Sequence, residues 1–87
     1  MPIVLRANGF KVTIRHPPRE HGPPHVHVFS GDAECELWIG SEEIGVKAIH
    51  GMRASDGRDA LQIVADNVDL LLGEWRRLHG PKGSKGK

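Results

Sequence analysis

Eighty-seven residues suffice for one domain and not for two, and a chain this short buries only about 60–65% of the surface it exposes when unfolded. Charged residues at 26% and hydrophobic ones at 38% are the balance of a globular domain, which excludes an intrinsically disordered chain. The net charge of +1 excludes nucleic-acid binding by bulk charge alone, but protonating all six histidines would carry it to +7 and make the surface sensitive to mild acid.

Two β-prone runs, Ile3-Val4-Leu5-Arg6 and Phe10-Lys11-Val12-Thr13-Ile14-Arg15, flank Asn8-Gly9. Asn-Gly is the strongest two-residue hairpin signal, because a type I′ turn needs positive φ at both central positions. With that loop Ala7 opposes Phe10, Leu5 opposes Val12 and Ile3 opposes Ile14, all apolar and all on one face. Arg6, Lys11, Thr13 and Arg15 take the other.

Residues 16–24 hold four prolines, which remove donors and fix φ, so an extended loop is expected there. A second hairpin follows around Gly31-Asp32. Its register sets Ser30 against Ala33, Val28 against Cys35 and Val26 against Leu37 on a core face. The other face pairs Phe29 with Glu34, His27 with Glu36 and His25 with Trp38. A slip of one residue would bury two histidines and two glutamates, which argues for this register.

Gly45 to Ile49 reads either as a short edge strand or as loop. Ser55 or Asp56 offers an N-cap, with Asp59 in the first turn. Leu61, Val64, Val68, Leu71, Trp75 and Leu78 then recur at helical spacing, and Gly80-Pro81 ends the helix. Asn67 is the residue at which that helix would divide in two. The expected architecture is α+β: an antiparallel β-meander of three to four strands, packed on one face by a C-terminal amphipathic helix. Residues 1–80 form the single domain, and 81–87 a flexible basic tail.

The single cysteine, Cys35, leaves no internal disulfide and no Cys-based zinc site within one chain, an inventory that suits a reducing cytosol. It reads as a small buried hydrophobe. No run of 18 apolar residues occurs and the N-terminus lacks signal-peptide order, so a cytoplasmic protein without membrane contact is expected.

The uncovered sheet face would then carry Arg6, Lys11, Arg15, His25, His27, Glu34, Glu36, Phe29 and Trp38, with Arg19, Glu20 and His21 entering beside it. Acid–base cleavage of a phosphodiester needs one group to take a proton, one to give it and cations for the developing charge. His25 and His27 fit the proton carriers, Glu20 an additional base, and Arg6, Lys11 and Arg15 the phosphate. That chemistry requires no cofactor and no metal. The lesser alternative is a metal held by His25 and His27, with His21 as a third ligand and a carboxylate completing a set that suits zinc. Trp38 and Phe29 also suit stacking of RNA bases or of a partner. Against all three stands an ordinary solvated face, whose cross-strand pairs are worth ~0.2–1 kcal/mol each. Trp75 and Leu71 belong to the core, while His16, His50 and His79 read as surface residues.

With these residues in view, the chain resembles domain-of-unknown-function family 4160 over about residues 2–79. The resemblance rests on Met1-Pro2-Ile3 leading to Arg6 and Gly9, on Glu20, and on the Pro23-Pro24-His25-Val26-His27-Val28 signature. Gly31 before the Leu37-Trp38-Ile39 strand and Asn67, Leu71, Leu72 and Trp75 near the end support it. Members are often encoded beside a second small protein, similar to a toxin–antitoxin module. The resemblance therefore implies a small bacterial protein with a cognate protein partner, acting on RNA, and singles out His25 and His27. The two same-face histidines within a cationic open sheet add the expectation of a metal-independent ribonuclease. The other reading is a non-enzymatic interaction domain, in which the same face takes a partner or a second copy of the chain. Glu36 stands where relatives often carry a basic residue, which counts against a required His27–Glu36 dyad.

Overall fold

The computed structural model describes residues 3–14, 23–40 and 43–79. Five strands, β1 (Ile3–Ala7), β2 (Phe10–Thr13), β3 (His25–Ser30), β4 (Ala33–Trp38) and β5 (Gly45–His50), form one antiparallel sheet in the order β1-β2-β3-β4-β5. Two helices follow, α1 (Ala54–Asp66) and α2 (Val68–His79). The class is α+β, with five strands where three to four were expected and two helices where one was. The region that the sequence left open between strand and loop is β5.

Local chemistry explains both hairpins. Asn8 and Gly9 take φ of 50° and 83°, the two positive values a type I′ turn requires. Leu5 and Ala7 oppose Val12 and Phe10 as expected, but a register shift between Ile3 and Leu5 pairs Ile3 with Thr13 instead of with Ile14. Ile3 is accordingly left exposed while Thr13 is buried. In the β3–β4 hairpin all six expected pairs are present, from Ser30 opposite Ala33 to His25 opposite Trp38.

The β4–β5 pair contains an irregularity: Glu36 opposes Ala48, yet Leu37 opposes Val46, so Lys47 is the extra residue. Such a bulge re-aims the side chain it inserts. Here Lys47 is turned onto the face that carries His27 and Glu36. Beyond β4, Ile39 N–H donates to Pro24 C=O at 3.0 Å and continues the pairing. A Cβ at Gly40 would lie 2.8 Å from Pro24 Cδ, so only glycine lets the two segments approach this closely.

α1 starts at Ala54 after Arg53, whose side chain makes no capping hydrogen bond. Ser55 and Asp56 thus sit inside the first turn and are not its cap, and Asp59 lies one turn further on. Asp56 still complements the helix dipole there. Asn67 divides the helices: its N–H donates to Val64 C=O, its side-chain Nδ2 to Ile63 C=O at 2.8 Å, and its own C=O accepts from Leu71. Ala60, Ile63 and Val64 of α1 and Leu71 and Trp75 of α2 join Phe10, Val12, Ile14, Val26, Val28, Cys35, Leu37 and Ile39 in one buried cluster. No helix among the described residues is long and apolar enough to cross a membrane. The proposed tail, 81–87, lies outside the described residues.

Candidate functional site

Strand register lays out the face opposite Val26, Val28 and Leu37 in cross-strand rows. One row holds Arg6, Lys11, Phe29, Glu34 and His50; the next Thr13, His27, Glu36 and Ala48; the next His25, Trp38 and Gly45. The two histidines occupy alternate positions of β3, so their rings stand side by side with centroids 5.5 Å apart.

This part of the face is not open. His25 is 4% exposed and His27 2%, where an uncovered surface was expected. Part of the difference lies in aromatic contacts that the sequence did not connect. His25 meets Trp38 at 5.4 Å in edge-on geometry and Trp75 of α2 at 5.3 Å. Trp75 in turn stacks on His79 at 3.7 Å, nearly parallel. His79 is therefore tied to the aromatic group and is not a bare surface residue.

Both imidazoles are oriented through Nδ1. His25 Nδ1 lies 3.0 Å from Pro23 C=O, and His27 Nδ1 lies 2.9 Å from Glu34 Oε2. A carbonyl and a carboxylate accept only, so acceptor chemistry assigns the proton to Nδ1 in each ring and the lone pair of the neutral ring to Nε2. His27 thus bonds Glu34, diagonally across the ladder, although its register partner is Glu36.

Glu36 has other partners. Lys47 Nζ donates to its Oε1 at 2.9 Å, and His50 Nε2 stands 3.7 Å from its Oε2. The same ammonium lies 5.5 Å from the centre of the Trp38 ring, a cation–π distance. Burial alone pushes the Glu36 carboxyl up, but the Lys47 hydrogen bond and the His27, Lys47 and His25 charges outweigh it, leaving its pKa below the ordinary glutamate value. On the other face, burial first and then the Glu34 and Glu36 charges push the Cys35 thiol up to about 11. That matches a buried hydrophobe and not a nucleophile.

A family model for a domain of unknown function, DUF4160, matches residues 9–76. The chain belongs to this family. The matched stretch of the DUF4160 domain runs from the β1–β2 turn through most of α2, and so includes His25, His27, Glu34, Glu36, Trp38 and Trp75. No curated protein and no solved structure matches the chain.

Within this DUF4160 domain the sequence candidates separate into three groups. His25, His27 and Trp38 come together, with Glu36 beside them. Arg6, Lys11 and Phe29 share the face but lie in the row beyond His27, with Arg6 and Lys11 exposed. Arg15, Glu20, Arg19 and His21 lie outside the described residues. Sequence reasoning missed Lys47, because a bulge leaves no mark in the alternation, and missed Trp75, whose helical spacing marks it as core without revealing that it reaches His25.

Proposed function

We propose that this chain is a protein-interaction domain of a two-component, toxin–antitoxin-like module, and that β5 with the groove beside it is what it offers its partner. The observation that carries this is the free side of β5. Among the described residues β5 pairs only with β4, while Val46 and Ile49 are each 52% exposed. An exposed strand edge is a template for a partner's strand.

Between β5 and α1, Leu37, Val46, Ile49, Gly57 and Leu61 line an apolar groove of about 280 Å³. That is below the usual size of a small-molecule pocket, and it fits one or two side chains. Arg53 and Arg58 border it. The complementary occupant is an extended partner segment with apolar residues at alternate positions and acidic residues beside them. This reading takes α1 as the cover of the Val12, Val28 and Leu37 face, which the shared core cluster supports, while Trp75 of α2 meets His25 of the other face.

The test is binding of a synthetic extended peptide of that pattern, apolar residues alternating with acidic ones, measured by calorimetry with the purified chain. Val46→Lys and Ile49→Lys, on exposed positions that leave the core intact, are expected to weaken binding tenfold or more. Binding unchanged in both variants would sink the proposal. A chain that instead pairs with itself in light scattering, and loses that pairing in both variants, makes the occupant a second copy.

One observation favours a second reading, RNA cleavage by His25 and His27: Glu34 holds His27 as a carboxylate holds a general base. The burial of both rings weighs against it. Total RNA incubated at pH 6–8, with and without chelator, decides. Cleavage lost in a His25→Ala/His27→Ala variant supports it; no cleavage by the intact chain removes it.

A further inference from the structure

We propose that His25, His27 and Glu36 form a site for one divalent transition-metal ion, with zinc the best fit. One donor atom from each of the three lies within 4.8 Å of the other two. The fold dictates this meeting. Alternate positions on β3 send both imidazoles to one face, and antiparallel register sets Glu36 directly opposite His27. The site is independent of the partner-binding reading, which concerns β5 and the groove on the opposite face.

The orientation of the imidazoles is the second argument. Metal-binding histidines characteristically donate the remaining N–H to a backbone carbonyl or a carboxylate, which fixes the tautomer and aims the lone pair. Here one ring has each kind of acceptor, Pro23 C=O for His25 and Glu34 for His27. Two imidazoles and a carboxylate suit zinc, and the same set with open positions suits iron(II).

Burial is the third argument. Both histidines are nearly inaccessible, so a cation there is shielded from water while Glu36 supplies the compensating negative charge. Lys47 occupies only Oε1 of Glu36; Oε2 has His50 at 3.7 Å. Donors around tetrahedral zinc stand roughly 3.3 Å apart for bonds near 2 Å, so binding requires the three side chains, whose donors lie within 4.8 Å of one another, to close by up to about 1.5 Å. His21, the third ligand weighed from sequence, lies outside the described residues, and the carboxylate of this set is Glu36. Relatives with a basic residue at that position would lack the site.

The experiment uses the untagged full chain, stripped with EDTA and titrated with zinc sulfate by calorimetry. Nitrogen-15 shifts of the histidine rings are followed in parallel. We expect one zinc per chain and displaced Nε2 resonances for His25 and His27. Glu36→Gln is expected to weaken binding at least tenfold, and Glu34→Gln, which removes the carboxylate bonded to His27, by about 10–100-fold. Asp59→Asn on α1 should bind as the parent does. If His25→Gln or His27→Gln fails to fold, the shifts of the parent chain still decide. The proposal is overturned by the absence of one-to-one binding, by shifts confined to the other four histidines, or by a folded Glu36→Gln that binds with parental affinity.

Discussion

Thr13 stands opposite His27 with a buried hydroxyl that has no hydrogen-bond partner among the described residues. An unmet buried polar group costs about 1–3 kcal/mol, and valine fills the same shape without one. Thr13→Val is therefore expected to raise stability by roughly 1 kcal/mol, or about 4–8 °C in Tm for a domain of this size. A thermal melt showing no gain would mean that the hydroxyl is satisfied in solution. Cys35 gives a second expectation at this scale. Its thiol ionises near 9.0 when exposed and near 11 in the fold, so the folded chain holds the proton longer. The resulting stability is fully present below pH 9 and is lost as pH rises from there to about 11. Urea midpoints should fall over that window relative to Cys35→Ala, and the native thiol should resist iodoacetamide at pH 8 until the chain unfolds. Residue types and their faces were readable in advance: Cys35 in the core, His25 and His27 beside Trp38. The choice of Glu34 over Glu36 by His27 was not, because register fixes which residues are neighbours but leaves their rotamers open.

Elements were legible where alternation was clean. Asn8-Gly9 and the paired runs around Gly31 left one register that buries valines and cysteine instead of glutamates, and the β3–β4 ladder follows it throughout. β5 was obscure because Val46-Lys47-Ala48-Ile49 has no period of two once Lys47 is bulged. The helix break at Asn67 was visible as a residue type, but its certainty comes from the three hydrogen bonds made there. Two glycines make opposite predictions. Gly40→Ala would drive a methyl into the rigid Pro24 ring, and the chain should lose about 1–3 kcal/mol in denaturant unfolding. Gly73 is exposed in mid-α2 with nothing within 4 Å of an added Cβ, so Gly73→Ala should stabilise by about 1 kcal/mol. If Gly40→Ala melts as the parent does, the close approach of Pro24 is not rigid in solution.

For the whole molecule, the thin core of a short chain makes any ligand of the folded state conspicuous. Zinc held by β3 and β4 would add about 2.7 kcal/mol at a free concentration of 100 times Kd, provided the unfolded chain does not bind it. On the scale above, that is roughly 10–20 °C in Tm. A melt insensitive to zinc at saturating concentration would contradict the proposed site.

The unbroken order β1-β2-β3-β4-β5 also has a consequence for how the protein is made. Every strand pairs with the one synthesised just before it, so no pairing waits for a distant segment, and little loop-closure entropy opposes each step. The sheet can assemble vectorially as the chain leaves the ribosome. Its buried cluster is completed only when Leu71 and Trp75 emerge. Until then Val12, Val28 and Leu37 belong to an incomplete cluster, and that interval is when the nascent chain is most open to aggregation or to capture by a chaperone.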